Sequence, residues 1–105
     1  MTFQLTVLYG RPADPAAFDA YYAETHVPLA NGLSGLTSYT TFKPGPGPDG
    51  AEPDTYLVAN LTFTDADAFG AAMGSDHGRR TVADVENFAT GGATMLMGDG
   101  VTTHA

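Results

Sequence analysis

The sequence predicts an α+β fold, a ferredoxin-like βαββαβ protomer with a four-stranded antiparallel sheet and its helices on one face. Three observations predict it. Hydrophobic period switches along the chain in the order strand, helix, strand, strand, helix, extra helix, strand. The 105 residues suffice for one such unit, and the sequence has no internal repeat. The first and third strands carry large apolar groups on both sides, so the sheet face turned away from the helices calls for a cover, and a second copy packing sheet to sheet would supply it. The expected assembly is a homodimer.

Each element has its own signal. From Thr2 to Tyr9 the residues alternate, with Phe3, Leu5, Val7 and Tyr9 on one face and Gln4, Thr6 and Leu8 on the other. Asp14 followed by Pro15 predicts a helix start, since proline at the first helical position gives up only a hydrogen bond that no residue makes there. Phe18, Tyr21, Tyr22, Thr25 and His26 then fall on one helical stripe, and Pro28 is expected to break or offset the helix just past His26. Leu36 to Phe42 reads as a second strand, and the Pro/Gly-rich segment 43–54 as an exposed loop. Thr55 to Phe63 is the clearest strand, placing Leu57, Ala59, Leu61 and Phe63 opposite Tyr56, Val58, Asn60 and Thr62. Thr64 with Asp67 predicts a variant capping box for a helix through Phe69, Ala72 and Met73. Ser75 or Asp76 caps one more helix, through Val82, Val85 and Phe88, and Ala93 to Met97 makes the last strand, followed by a frayed tail at 99–105.

Composition narrows the chemistry. Twelve Asp and Glu against four Lys and Arg give a net charge of -8. That balance repels phosphate backbones and anionic head groups, so neither nucleic acid nor a membrane surface is an expected partner. No cysteine is present, which removes disulfides, thiolate nucleophiles and cysteine-ligated metal centres. The opening MTFQLTVLYG has neither a basic leader nor a long apolar run, and no stretch approaches the ~20 apolar residues of a membrane helix. A cytoplasmic protein is expected. His26, His77 and His104 have no short spacing, so a metal site is not expected, and no glycine-rich phosphate loop follows the first strand.

The segments Phe18-Asp19-Ala20-Tyr21-Tyr22, His26-Val27-Pro28-Leu29-Ala30 and Leu33-Ser34-Gly35-Leu36 together resemble the EthD family of dimeric α+β barrel proteins. Tyr56-Leu57-Val58-Ala59, residues 75–78, Asp84 and Asn87-Phe88-Ala89-Thr90-Gly91-Gly92 extend the resemblance over roughly residues 3–98. It implies two ferredoxin-like protomers joined into an eight-stranded barrel, each half holding a cavity. The family takes its name from a bacterial operon for ethyl tert-butyl ether breakdown that also encodes a cytochrome P450 system. Superfamily relatives include muconolactone isomerases, polyketide cyclases and haem enzymes, so fold transfers better than reaction. The chain departs from the family pattern in the 43–54 loop and at His77, where a carboxylate is expected.

The candidate catalytic residues are His26 and Tyr22. An imidazole exchanges a proton near neutrality, and His26 is the one histidine predicted on a buried helix face beside aromatics. From the residues alone it serves equally as a core histidine or as part of the helix stop with Pro28; the resemblance is what implies a cavity position. Tyr22 would orient a substrate oxygen, although tyrosines at helical spacing also build cores. The expected substrate-binding set is Asn60, Thr6, Tyr56, Leu8, Val58 and Phe88, most of it on the sheet's second face. Asn60, polar in an apolar strand, is satisfied either by a ligand or by Thr6 across the strands. Asp84 either orients a distant histidine or holds Arg79 or Arg80 on its own helix, and the ion pair is the simpler expectation. His77, in a polar turn, is expected to be exposed. These features point to a cofactor-free acid/base enzyme of isomerase, cyclase or lyase type acting on a small apolar metabolite. The alternatives are a non-catalytic binding or accessory protein of an oxygenase pathway and an oxidoreductase. Haem on His26 alone would lack cations for its propionates.

Overall fold

The computed structural model describes residues 2–105. Its sheet has the order β2-β3-β1-β4, all antiparallel, from strands β1 (Phe3–Gly10), β2 (Leu36–Phe42), β3 (Thr55–Phe63) and β4 (Ala93–Asp99). The two strands with apolar groups on both sides are thus the two central ones. Register sorts the side chains. Leu5 pairs with Leu61, Val7 with Ala59 and Tyr9 with Leu57 on the face under the helices, and Gln4 with Thr62, Thr6 with Asn60 and Leu8 with Val58 on the outer face.

Helix α1 (Pro15–Tyr21) begins as its sequence dictates, Asp14 accepting from the Ala17 backbone N–H at 3.1 Å. Pro28 does not break it. A π-helical turn over Tyr22–His26, closed by the Val27 N–H donating to the Tyr22 carbonyl, leads directly into α2 (Val27–Asn31), which contains Pro28. Proline has no N–H and crowds the carbonyl four residues back, and the wider turn accommodates both effects without ending the helix. It also shifts the helical phase, so that Thr25 turns out to solvent while Phe18, Tyr22 and His26 stay buried.

Helix α3 (Ala66–Gly74) is capped one residue later than expected, by Asp65, whose carboxylate accepts from the Ala68 N–H at 2.7 Å. Ser75 caps α4 (Asp76–Asp84), accepting from Gly78 N–H at 3.0 Å. The elbow between α3 and α4 requires glycine at 78, because a Cβ there would overlap the Ala72 carbonyl. A single 3₁₀ turn, Val85–Asn87, follows. The buried residues of α4 include Thr81 and Asp84, while Val82, expected inside, is exposed. His77 is also not where its polar surroundings suggested. The first turn of α4 lies against Gly32, and His77 is half-buried, with Nε2–H donating to the Leu29 carbonyl at 2.6 Å. It joins α4 to α2.

Candidate functional site

Between the helices and the inner sheet face lies a cavity of about 310 Å³. Leu5, Val7 and Leu61 form its floor, Ala30, Leu33, Phe69 and Met73 line it from the connecting elements, and Val82, Met95 and Met97, all substantially exposed, mark its mouth. His26, Tyr9, Tyr22, Tyr39 and Thr81 supply polar atoms to an otherwise apolar lining. Among the described residues no Lys, Arg, Asp or Glu lines it.

His26 is 5% exposed, and its Nδ1 lies 2.9 Å from Asp84 Oδ2. Asp84 Oδ1 accepts from the Tyr21 hydroxyl at 2.5 Å and from Asn87 Nδ2 at 3.0 Å. Burial pushes the Asp84 carboxyl upward, but hydrogen bonds from Tyr21, His26 and Asn87 outweigh it and hold the group below the ordinary carboxylate range. Asp84 therefore stays ionised and accepts from Nδ1–H. The same carboxylate keeps the Tyr21 phenol above its usual value, with burial adding to the effect. Among the described residues His26 Nε2 has no hydrogen-bond partner, and no fully buried side-chain polar atom lacks one, so Nε2 is the nitrogen left to the cavity. Phe88 packs its ring 4.7 Å from the imidazole, fixing its plane.

Tyr22 and Tyr39 share a hydrogen bond of 2.6 Å between their hydroxyls, and the Tyr22 ring lies 5.3 Å from His26 and 5.6 Å from Tyr9. Burial, first of all, pushes all three phenols above the ordinary tyrosine range, so they are neutral donors at any working pH.

His26 and Tyr22 are thus brought together, and the proposed substrate contacts are not. Thr6, Leu8, Val58 and Asn60 lie on the outer face, separated from the cavity by the sheet. There Asn60 Oδ1 accepts from Thr6 Oγ1 at 2.8 Å and from Gln4 Nε2 at 3.1 Å, so the cross-strand alternative is the one realised. Tyr56 sits at the register shift between β1 and β3, which turns its ring onto Phe18 and its hydroxyl to Asp19, at 3.0 Å. Phe88 backs His26 without lining the cavity. Asp84 takes the orienting role rather than the ion pair, since Arg79 bonds Asp76 at 2.7 Å and the Gly74 carbonyl. A carboxylate three residues after Thr81 and four before Phe88, on the buried stripe of α4, was the signal for it. Tyr39 was missed: the large aromatic in a strand of Ser and Thr was its only mark.

Fold and site together define a small ferredoxin-like α+β protein with an imidazole–carboxylate pair on the wall of an apolar cavity. The EthD domain model matches residues 11–92. An uncharacterised 11.0 kDa protein from the thcB–thcC intergenic region of Rhodococcus erythropolis is 40% identical over 97 residues, covering 92% of this chain and 93% of that protein. The chain belongs to the EthD family. A crystallised EthD-family protein of Bacillus halodurans superposes with a TM-score of 0.88 at 31% identity, over 96% of this chain and 100% of that one. SnoaB, a cofactor-independent oxygenase of Streptomyces nogalater, shares the fold, with a TM-score of 0.64 at 19% identity over 97% and 94% of the two chains. Among the described residues no three His, Asp or Glu side chains form a metal-binding group, and no helix is long and apolar enough to cross a membrane.

Proposed function

We propose that this EthD-family protein is a cofactor-free general acid/base enzyme acting on a small, mostly apolar metabolite. The observation that carries the proposal is the 2.9 Å contact of buried His26 with Asp84 at the wall of the cavity. The Asp84 carboxylate selects the Nδ1–H tautomer, so the lone pair of Nε2 is available as a base. It also stabilises the imidazolium formed on proton uptake, and the apolar surroundings favour a proton acceptor over a bound anion. The cavity volume lies at the low end of the ~300–1,000 Å³ usual for small-molecule sites. The assembly that suits this role is a homodimer, with the outer faces, bearing Leu8, Phe42, Val58 and Leu96, packed together. Light scattering should read a dimer for the native protein and a monomer for Phe42→Asp, and a native monomer removes the barrel.

The test compares binding with turnover. Neutral bicyclic compounds that raise the melting temperature should lose their effect in Ala30→Leu, which fills the cavity. For a compound that is turned over, His26→Asn keeps the binding and lowers kcat by ~10²-fold or more. A His26→Asn protein with native kcat refutes the general base. Ligands that bind in the cavity and are never transformed would favour the second function, an accessory binding protein.

A further inference from the structure

Counting hydrogens at the tyrosines tells more about the substrate than the volume does. Tyr22 and Tyr39 have two hydroxyl hydrogens between them, and their mutual bond of 2.6 Å uses one. The Tyr9 hydroxyl also meets that of Tyr22, so the three phenols hold three hydrogens against at most two mutual contacts, and at least one O–H is left to donate. The phenol holding it accepts the other's bond, which polarises its own O–H and strengthens it as a donor. Both residues line the cavity with His26, and the Tyr22 and His26 rings are 5.3 Å apart. The free donor and the free base therefore face one space. Thr81, the lining's threonine, already donates to the His77 carbonyl at 2.8 Å.

A spare neutral donor beside a spare base is suited to one pattern of charge, an oxygen that becomes negative while a neighbouring atom loses a proton. With no cation in the lining, a carboxylate or phosphate ester would be buried unpaired, so the substrate is uncharged. We infer that the Tyr22–Tyr39 hydroxyl pair is an oxyanion-holding site and that the substrate class is a neutral, apolar ketone with an acidic C–H next to its carbonyl. This rests on the general-base function proposed for His26 and adds the electrophilic half of the site. In the step, Nε2 takes the α-proton. The C–H electron pair forms the C=C bond of an enolate, and the carbonyl π pair moves onto oxygen, where the phenol O–H holds it. The imidazolium then returns its proton to the same carbon, which exchanges hydrogen, or to another carbon of the conjugated system, which isomerises the ketone. Neither outcome needs an oxidant or a second reactant.

The probe is β-tetralone, an uncharged bicyclic ketone, with exchange of its α-protons in deuterium oxide followed by proton NMR. The native protein should accelerate exchange over buffer. Tyr22→Phe combined with Tyr39→Phe should lower kcat by ~10²-fold with KM changed less than about threefold, because the donor acts on the enolate more than on the ketone. Tyr39→Phe alone, on a half-buried strand residue, keeps the test valid if the double variant does not fold. It leaves Tyr22 without the Tyr39 hydroxyl and should cost about three- to tenfold in kcat. Exchange by the double variant within twofold of native overturns the oxyanion site and leaves the base in place. No acceleration by native protein overturns the ketone assignment. Native exchange by His26→Asn overturns the underlying function instead, so the failures are distinguishable.

Discussion

The two faces of the sheet both carry polar side chains and use them in opposite ways. On the outer face Gln4, Thr6, Asn60 and Thr62 bond one another across β1 and β3, with contacts of 2.8 to 3.4 Å. The polar atoms that the network leaves over are open to solvent or to a packed copy. On the inner face the polar groups are fewer and the network is incomplete: His26 Nε2 has no partner among the described residues, and the Tyr22–Tyr39 pair lines the same apolar cavity. A surface that satisfies itself is a scaffold, whereas spare donors and acceptors in a low-dielectric space are where a ligand is recognised. Polarity by itself does not distinguish the two.

The sharpest test of this contrast uses neighbours on one strand. Phe63→Ala, on the inner face and fully buried, should lower the unfolding free energy by about 3–5 kcal/mol in urea denaturation. Thr62→Ala, one residue away on the outer face with a single 3.4 Å bond, should cost less than about 1 kcal/mol. Equal costs would mean that the outer face is as tightly packed as the core.

Next in size is Asp84→Asn, which leaves the donors of His26, Tyr21 and Asn87 with a neutral partner and should cost about 2–3 kcal/mol near neutrality. Its pH signature has a definite sign. Native Asp84 holds its proton less tightly than the unfolded chain does, so its contribution is present above the unfolded carboxyl value of about 4 and is lost as pH falls through the lower native value. Asp84→Asn should flatten this acid limb of the stability profile. At the other end, unfolded phenols ionise from about pH 10 while native Tyr9, Tyr22 and Tyr39 stay protonated, so stability should fall as pH rises past 10. Replacing Tyr22 and Tyr39 by Phe should blunt that alkaline limb. An outer-face change should move neither.

Asn60→Ala provides that comparison. It removes the acceptor shared by Gln4 and Thr6, and because both can turn to water the expected cost is about 1 kcal/mol, with ligand binding in the cavity unchanged. Loss of binding would mean that the outer face belongs to the site. Smallest is His77→Asn, where losing the 2.6 Å bond to the Leu29 carbonyl should cost about 0.5–1.5 kcal/mol, read from chemical denaturation, with kcat unaffected.

How much of this was legible beforehand follows from the range of the interactions involved. Alternation in β1 and β3, the Asp14-Pro15 start and the Ser75 cap depend on neighbours within about four residues, and they appear in the structure as the sequence predicts. That His26 and Tyr22 are buried together was legible because one helical stripe holds both, and their place at a cavity was implied by the family resemblance. The partition of the remaining candidates was not legible, since period two assigns Thr6 and Asn60 to one face without saying which face encloses a cavity. Nor was the pairing of His26 with Asp84, 58 positions apart, or of Tyr22 with Tyr39 on β2, because each pair meets only after α4 and β2 have packed against α1 and its π turn. At Pro28 the expected offset is the outcome rather than a break, taken up in the π turn that keeps Tyr22 and His26 buried. Sequence alone determined the elements, their capping and the identity of the buried imidazole, because those are set by backbone sterics and hydrophobic period. Tertiary structure decided which polar groups are spent on each other and which are left for a ligand, because a hydrogen bond between distant residues exists only once the fold has brought its donor to its acceptor.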